Sequence, residues 1–529
     1  MREHDGSYRP GEVRAESGSG SGPAITSAAA VQVHNGNLEC DTLVEAYYTN
    51  FHKLHPFILP RTHLSRLYRE RGREHTLRPL IAVMRLIGNC YQSREWSTSL
   101  KEHAEVTLRA ASSDPVTVQA RLLNAIALFW QGHDADARVE MDVSIEIAID
   151  LRMFSQDFPA EHGGDDSVVR ESWRRTWWML YIVEMYIAGT TGTITSKLWD
   201  VESTADLPCE EAEYESGEIP QPRSLQEFDC REFASEDITF SSFAYLVGAT
   251  RCTVSAISTA LNGRGKENPT HFIQTVDSIL DGWLRLVPSH KKTMNKSGEI
   301  DELMFQAHLL IHTSTICLHR PLSDLKFNTV EDVSSCAREP PPETPKTDLV
   351  NVHTVRVLQS VEAQISLLVL PTRKFHHTPF VTCMTTTGTL ALLSACRFSL
   401  KDTELAIARD QIRMTIGCLK ELGKVWPRAA RNVREIQTIA HRVLGLGRGP
   451  GSRETVSTSK SGTPRSSEVP GLSGGSEGQE SPGSFETEPL ISDADVLSSL
   501  GLSLGDSCAW FNFSDPDLPP WEGMARMDI

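Results

Sequence analysis

The chain has 529 residues, 40% of them hydrophobic and 7% aromatic, enough to bury a sizeable core but too long for one ordinary compact unit without tails. A formal net charge of −17 argues against a nucleic-acid surface on this chain itself, because such surfaces concentrate Lys and Arg to displace counterions. No run of about 18 uncharged apolar residues occurs, and Met1 to Asp5 lead into Gly and Ser rather than an apolar segment, so neither a membrane span nor a secretory signal is expected.

Eleven cysteines are spread so that none lies within 12 residues of another, and no CxxC exists. That spacing fits reduced thiols scattered through a core and offers no zinc-finger or zinc-cluster ligand set, so neither metal nor cofactor is expected.

In chain order, residues 1–39 are Gly-, Ser- and Ala-rich and read as a disordered leader. Leu77, Leu80, Ile81, Met84, Ile87 and Tyr91 then recur at the spacing of one helical face. Helices are also expected over 121–131, 143–154, 170–188, 240–261, 272–286, 302–318, 352–370, 380–398, 402–422 and 431–443, and strand-like alternation is scarce. The fold class is therefore all-α, a large irregular helical array over 40–446. Residues 209–236, acidic and holding two prolines, and 338–345, with Pro340-Pro341-Pro342, read as surface insertions. A Gly/Ser/Pro-rich linker is expected over 447–484 and a distinct acidic segment over 485–529. No repeat of fixed period is present.

Four stretches together resemble the regulatory "middle homology" domain of fungal zinc-cluster transcription factors, of the xylanolytic-activator type. The first is Tyr47-Tyr48-Thr49-Asn50-Phe51-His52-Lys53-Leu54-His55-Pro56-Phe57, an aromatic helix running into His-Pro-aromatic and expected to end at Pro56. The second and most specific is Glu171-x-x-Arg174-Arg175-x-Trp177-Trp178-x-x-Tyr181, in which Trp173, Trp177, Leu180 and Tyr181 share a helical face and Glu171 and Arg175 are four apart and able to pair. Here the sequence departs from the family: Glu184-Met185 stands where Asp-Arg is usual, and Gly189-Thr190-Thr191-Gly192 replaces Gly-Arg-Pro, before Leu207-Pro208 falls where the family has Leu-Pro. The third is Leu318-His319-Arg320-Pro321, a helix ended by proline with basic groups at its carbonyl end. The fourth, 419–443 with Leu422 and Trp426, is similar to the closing helix pair. The family's six-cysteine DNA-binding cluster has no counterpart, since residues 1–89 hold only Cys40.

The resemblance implies a nuclear regulator of a metabolic pathway's genes, with a secondary-metabolite gene cluster as one instance, and not an enzyme. Its partners would be coactivators or a DNA-binding protein, with DNA reached indirectly or through a domain absent from this chain; a homodimer is the other candidate assembly. The alternatives are a co-regulator or repressor with no DNA contact of its own, or an all-α enzyme of terpene-synthase type using Asp165-Asp166. That pair follows Gly163-Gly164 and stands alone, which suits a helix N-terminus better than a magnesium site. Trp173, Trp177 and Trp178 could line a ligand pocket, but an aromatic stripe at helical spacing is ordinarily core. Arg174 and Arg175 read as a solvated or locally paired face. His376-His377 would point in different directions and have no accompanying ligand pattern.

From Phe485 onward nine acidic residues face a single basic one, Arg526, and Val496, Leu497, Leu500, Trp510, Phe511, Phe513 and Trp521 are interspersed. Acidic groups that keep apolar side chains exposed for a partner's groove are the composition of an activation segment, with 493–504 as a short amphipathic helix. The competing reading has the aromatics dock back on the helical body.

Overall fold

The computed structural model describes residues 38–445, apart from 71, 193–195, 235–237, 264–268, 296–297, 326–327, 336–350 and 372–374. The leader up to residue 37, the 338–345 insertion, the linker and the whole acidic segment, including Trp510, Phe511, Phe513 and Trp521, lie outside the described residues.

Among the described residues the fold is all-α, as expected, with only two isolated β-bridges, Leu207–Arg223 and Met294–Ile300. The first helices are α1 (Thr42–Asn50), α2 (Arg61–Arg69), α3 (Glu74–Ser93), α4 (Thr98–Arg109), α5 (Pro115–Gln131), α6 (Asp134–Asp150) and α7 (Phe158–Gly163). The long α8 (Ser167–Thr191) is followed by the short α9 (Glu211–Ser216) and α10 (Leu225–Asp229). The remainder comprises α11 (Ser242–Gly263), α12 (Pro269–Leu286), α13 (Glu302–His319), α14 (Val352–Leu368), α15 (Val381–Phe398), α16 (Asp402–Gly423) and α17 (Pro427–Val443).

Local chemistry sets many of these bounds. Asp41, Asp114, Asp166 and Asp301 are N-caps whose carboxylates accept from backbone N–H groups of the first turn, and Pro115 sits at the first helical position of α5 where no N–H is needed. α6 stops at Asp150, short of the expected 154, because the chain turns through a left-handed residue at Arg152. α1 also ends earlier than Pro56: a 3-10 turn, His52–Leu54, intervenes. The leader boundary moves too, since Leu38–Cys40 forms a 3-10 turn with Leu38 buried. At the α1–α3 crossing a Cβ on Gly88 would stand 1.9 Å from the Leu43 carbonyl oxygen, so this approach admits only glycine.

Two apolar clusters make up the core. The larger gathers residues of α1, α3, α5, α8, α11 and most of α13; the smaller joins Ile316, Val357, Val361, Leu390, Leu393, Ile412 and Ile439 from α13 to α17. α13 to α17 each contribute to both, so the two clusters share these five helices. The acidic 209–236 stretch is not a mere surface insertion: Tyr214 on α9 and Phe228 on α10 are both buried in the larger cluster. Acidic composition had suggested solvent, but two aromatics suffice to anchor a charged segment.

Candidate functional site

The most specific sequence motif, Glu171 to Tyr181, lies on α8, which is buried on almost every side from Val168 to Thr190. A helix this enclosed cannot leave its charged groups unpaired. Glu171 Oε1 accepts from Arg175 Nε at 2.9 Å and Glu171 Oε2 from Arg174 Nε at 2.9 Å, so the four-residue spacing does make the pair. The arginines are not a solvated face: Arg175 is wholly buried and Arg174 nearly so.

Arg175 uses its remaining donors on two other segments. Its Nη1 donates to Pro56 O at 2.9 Å and to Glu211 Oε2 at 2.7 Å, and its Nη2 donates to Cys209 O at 2.9 Å. The guanidinium lies 3.9 Å from the Tyr214 ring centroid. Burial pulls against its charge, yet the Glu211 and Glu171 carboxylates outweigh that and hold it above its ordinary value. Cys209 N–H in turn donates to Glu171 Oε1 at 2.9 Å.

The first motif supplies the acceptors. Pro56 O takes Arg175, Phe57 O takes Gln119 Nε2 at 3.2 Å and Ser172 Oγ at 3.0 Å, and Ile58 O takes the Tyr214 hydroxyl at 3.2 Å. Three consecutive carbonyls that would otherwise be buried without partners are thus paired by side chains from α5, α8 and α9. The His-Pro-aromatic turn, the Glu-x-x-Arg-Arg helix and the Leu-Pro segment form one clamp. Sequence reasoning identified its parts separately and missed the joint, because carbonyls carry no residue-type signal.

The tryptophans are spent on the same segment. Trp177 Nε1 donates to Ser203 Oγ and Trp178 Nε1 to Asp206 O, each at 2.9 Å, and both rings are buried; Trp178 also meets the half-buried Tyr181 edge-on at 6.0 Å. Trp173 borders a cleft of about 330 Å³ lined also by Leu59, Leu77, Leu80 and Val116. Its rim charges are matched within the chain: Arg66 pairs with the N-cap Asp166, and Arg73 lies 3.9 Å from Glu70. Asp166 therefore serves α8, and Asp165 is fully exposed beside it. The expected turn after α8 is Gly192, at φ 79°.

The His319-Arg320-Pro321 corner closes α13. Arg320 Nη2 reaches both oxygens of the buried Glu331, at 2.9 and 2.8 Å, and Pro321 opens the 3-10 turn Arg320–Leu322. His319, also buried, places Nε2 at 2.8 Å from Asp277 Oδ1 and Nδ1 at 2.7 Å from His353 Nδ1; Arg356 bridges Asp277 and Asp281. Burial and the neighbouring His319 push His353 down to about 4. This corner joins α12, α13 and α14. His376 and His377 diverge, His376 Nε2 to Asn50 O at 2.6 Å and His377 Nδ1 to Glu302 Oε2 at 2.7 Å.

One consequence is acid sensitivity. His55 is wholly buried, stacked on Phe51 at 4.7 Å with Nε2 at 3.1 Å from Thr378 Oγ1, and burial pushes it down to about 3. Between about 3 and its unfolded value near 6.5 the unfolded chain binds a proton that the folded chain refuses, so this contribution to stability is complete above pH 6.5 and is lost as pH falls. His55→Phe should flatten the loss of stability between pH 6.5 and 4 by about one proton, or about 1.4 kcal/mol per pH unit. Parallel denaturation curves of the two proteins at four pH values in that range measure the difference; equal slopes would contradict it.

Comparison with known proteins bears on what the clamp belongs to. Residues 44–267 match the model of the fungal specific transcription factor domain. Among curated proteins the chain is similar to the C6 finger domain transcription factor iacK of Pestalotiopsis fici, 34% identical over 408 residues that make up 76% of this chain and 59% of that protein. No solved structure matches. The matched span includes the His-Pro turn, the whole of α8 and the Leu-Pro segment, so the chain carries, through residues 44–267, a fungal specific transcription factor domain.

Proposed function

We propose that the protein is a transcriptional regulator of a metabolic pathway's genes, acting in the nucleus by protein contacts rather than by catalysis. The observation that carries this reading is the transcription-factor domain at 44–267, supported by the likeness to a C6 transcription factor across 408 residues. We take the regulatory body as residues 40–446, on the ground that α13 to α17 also pack into the larger apolar cluster of the matched span. Glu171, Arg174, Arg175, Trp177, Trp178, Tyr181, His319, Arg320 and Pro321 keep that body's segments in register. A biosynthetic gene cluster of secondary metabolism is the narrower instance. The −17 charge favours reaching DNA through a partner or a separate domain, with coactivators as the other partners.

Residues 485–529 supply the activating contact, on the strength of their nine carboxylates and interspersed aromatics. With the full chain fused to a heterologous DNA-binding domain, reporter output is expected well above background. It should fall to near background when Trp510, Phe511 and Trp521 are all changed to Ala, and residues 485–529 alone should transfer activity. Background output from both unmutated fusions would sink the activation reading and favour a repressive role.

A further inference from the structure

The acidic groups around α9 are matched one by one, with one exception. Glu210 pairs with Lys291, Glu211 with Arg175, and Glu213 accepts from the Glu210 N–H at 2.9 Å. Glu215, half-exposed, has His52 as its nearest ion-pair partner, with Nε2 3.4 Å from its Oε1, and Arg175 and Lys53 act on it from farther away. His52 is 2% exposed, and neither of its ring nitrogens makes a hydrogen bond. Nε2 has only the 3.4 Å approach of Glu215 and Nδ1 has no partner, and a buried ring nitrogen without a hydrogen bond is costly. Its ring is held by Tyr48 and Tyr47, with centroids 4.9 and 6.1 Å away.

His52, Glu211 and Glu215 each offer one ligand atom, and the three atoms lie within 4.8 Å of one another. We propose that these residues hold a divalent metal ion, zinc by its donor chemistry, with water completing the tetrahedron. Zinc takes imidazole nitrogen and carboxylate oxygen at about 2.0–2.2 Å, so neighbouring ligand atoms of a tetrahedral site lie roughly 3.3 Å apart, the separation already present between His52 and Glu215. Glu211 and Glu215 sit four apart on α9 and present their carboxylates on one side. The Arg175 bond to Glu211 Oε2 orients that ligand, as outer hydrogen bonds do at metal centres, while Glu171 balances the arginine's charge. The half-exposed Glu215 leaves an entry path. An ion here fastens α9 to the turn after α1, the two segments that close over Arg175.

The test uses the full chain, stripped with EDTA and titrated with zinc chloride at pH 7 by calorimetry, with the thermal midpoint as a second readout. The unmodified protein should take up one equivalent at this site and melt higher with zinc. Glu215→Gln and His52→Gln should each weaken binding tenfold or more and abolish the midpoint shift, whereas Cys40→Ser with Cys230→Ser, which removes two exposed thiols, should change neither. If His52→Gln does not fold, Glu215→Gln at its half-exposed position decides alone. No zinc uptake by the unmodified chain, or uptake unaltered in Glu215→Gln, overturns the proposal.

Discussion

Arg175→Ala is expected to lower the unfolding free energy by about 3–5 kcal/mol, the range found when one partner of a buried ion pair is removed. The reason lies less in the lost attraction than in what stays behind. Glu171 remains buried with Arg174 as its one paired cation and the Cys209 N–H as its other donor, and the carbonyls of Pro56 and Cys209 lose their donor. Arg175→Lys keeps the charge but lacks the planar fork that serves four acceptors at once, so it should recover only part of the loss. The double variant Glu171→Gln with Arg175→Met removes both charges and should cost less than Arg175→Ala alone. Urea denaturation followed by tryptophan fluorescence measures all three. A change within about 0.5 kcal/mol for Arg175→Ala would show that the clamp is not what holds the His-Pro turn to α8.

Trp177→Ala is the second large effect, again about 3–5 kcal/mol, the usual cost of truncating a buried aromatic side chain. The ring packs against Phe154 at 5.9 Å and its indole N–H is bonded to Ser203, so truncation opens a cavity and frees the wrapped segment after α8 together. Trp177→Phe separates the two causes: it refills most of the volume and loses the hydrogen bond, for an expected cost nearer 1–2 kcal/mol. An unchanged denaturation midpoint in Trp177→Ala would mean the indole is not core, and would reopen the ligand-pocket reading of the aromatic face.

The residues that were legible in the sequence are those whose partners lie within a turn or two. Asp166 before an apolar run announces an N-cap, and Glu171 four places before Arg175 announces an ion pair, because helix geometry alone brings these atoms together. The apolar period placed eleven of the helices for the same reason, and the four motifs were enough to point to the fungal transcription factor domain that residues 44–267 match. The short helices α9 and α10 escaped notice, since charge and proline dominate 209–236, and the burial of Tyr214 and Phe228 together with the Glu210–Glu213 and Ser224–Glu227 capping boxes turns that stretch into structure.

What only the tertiary structure decided is where distant segments meet. The three carbonyls at 56–58 that the clamp pairs have no signature in a sequence, because every residue carries one. His52 and Glu215 lie about 160 residues apart, and no spacing rule links them. Helix periodicity tells which face turns inward, while the identity of the neighbour follows from how the seventeen helices of the described residues pack, a choice made by the whole core at once. The sequence by itself determined an all-α body, its caps and the match of residues 44–267 to the fungal specific transcription factor domain; packing decided that Arg175 is wholly buried and that α9 closes over it.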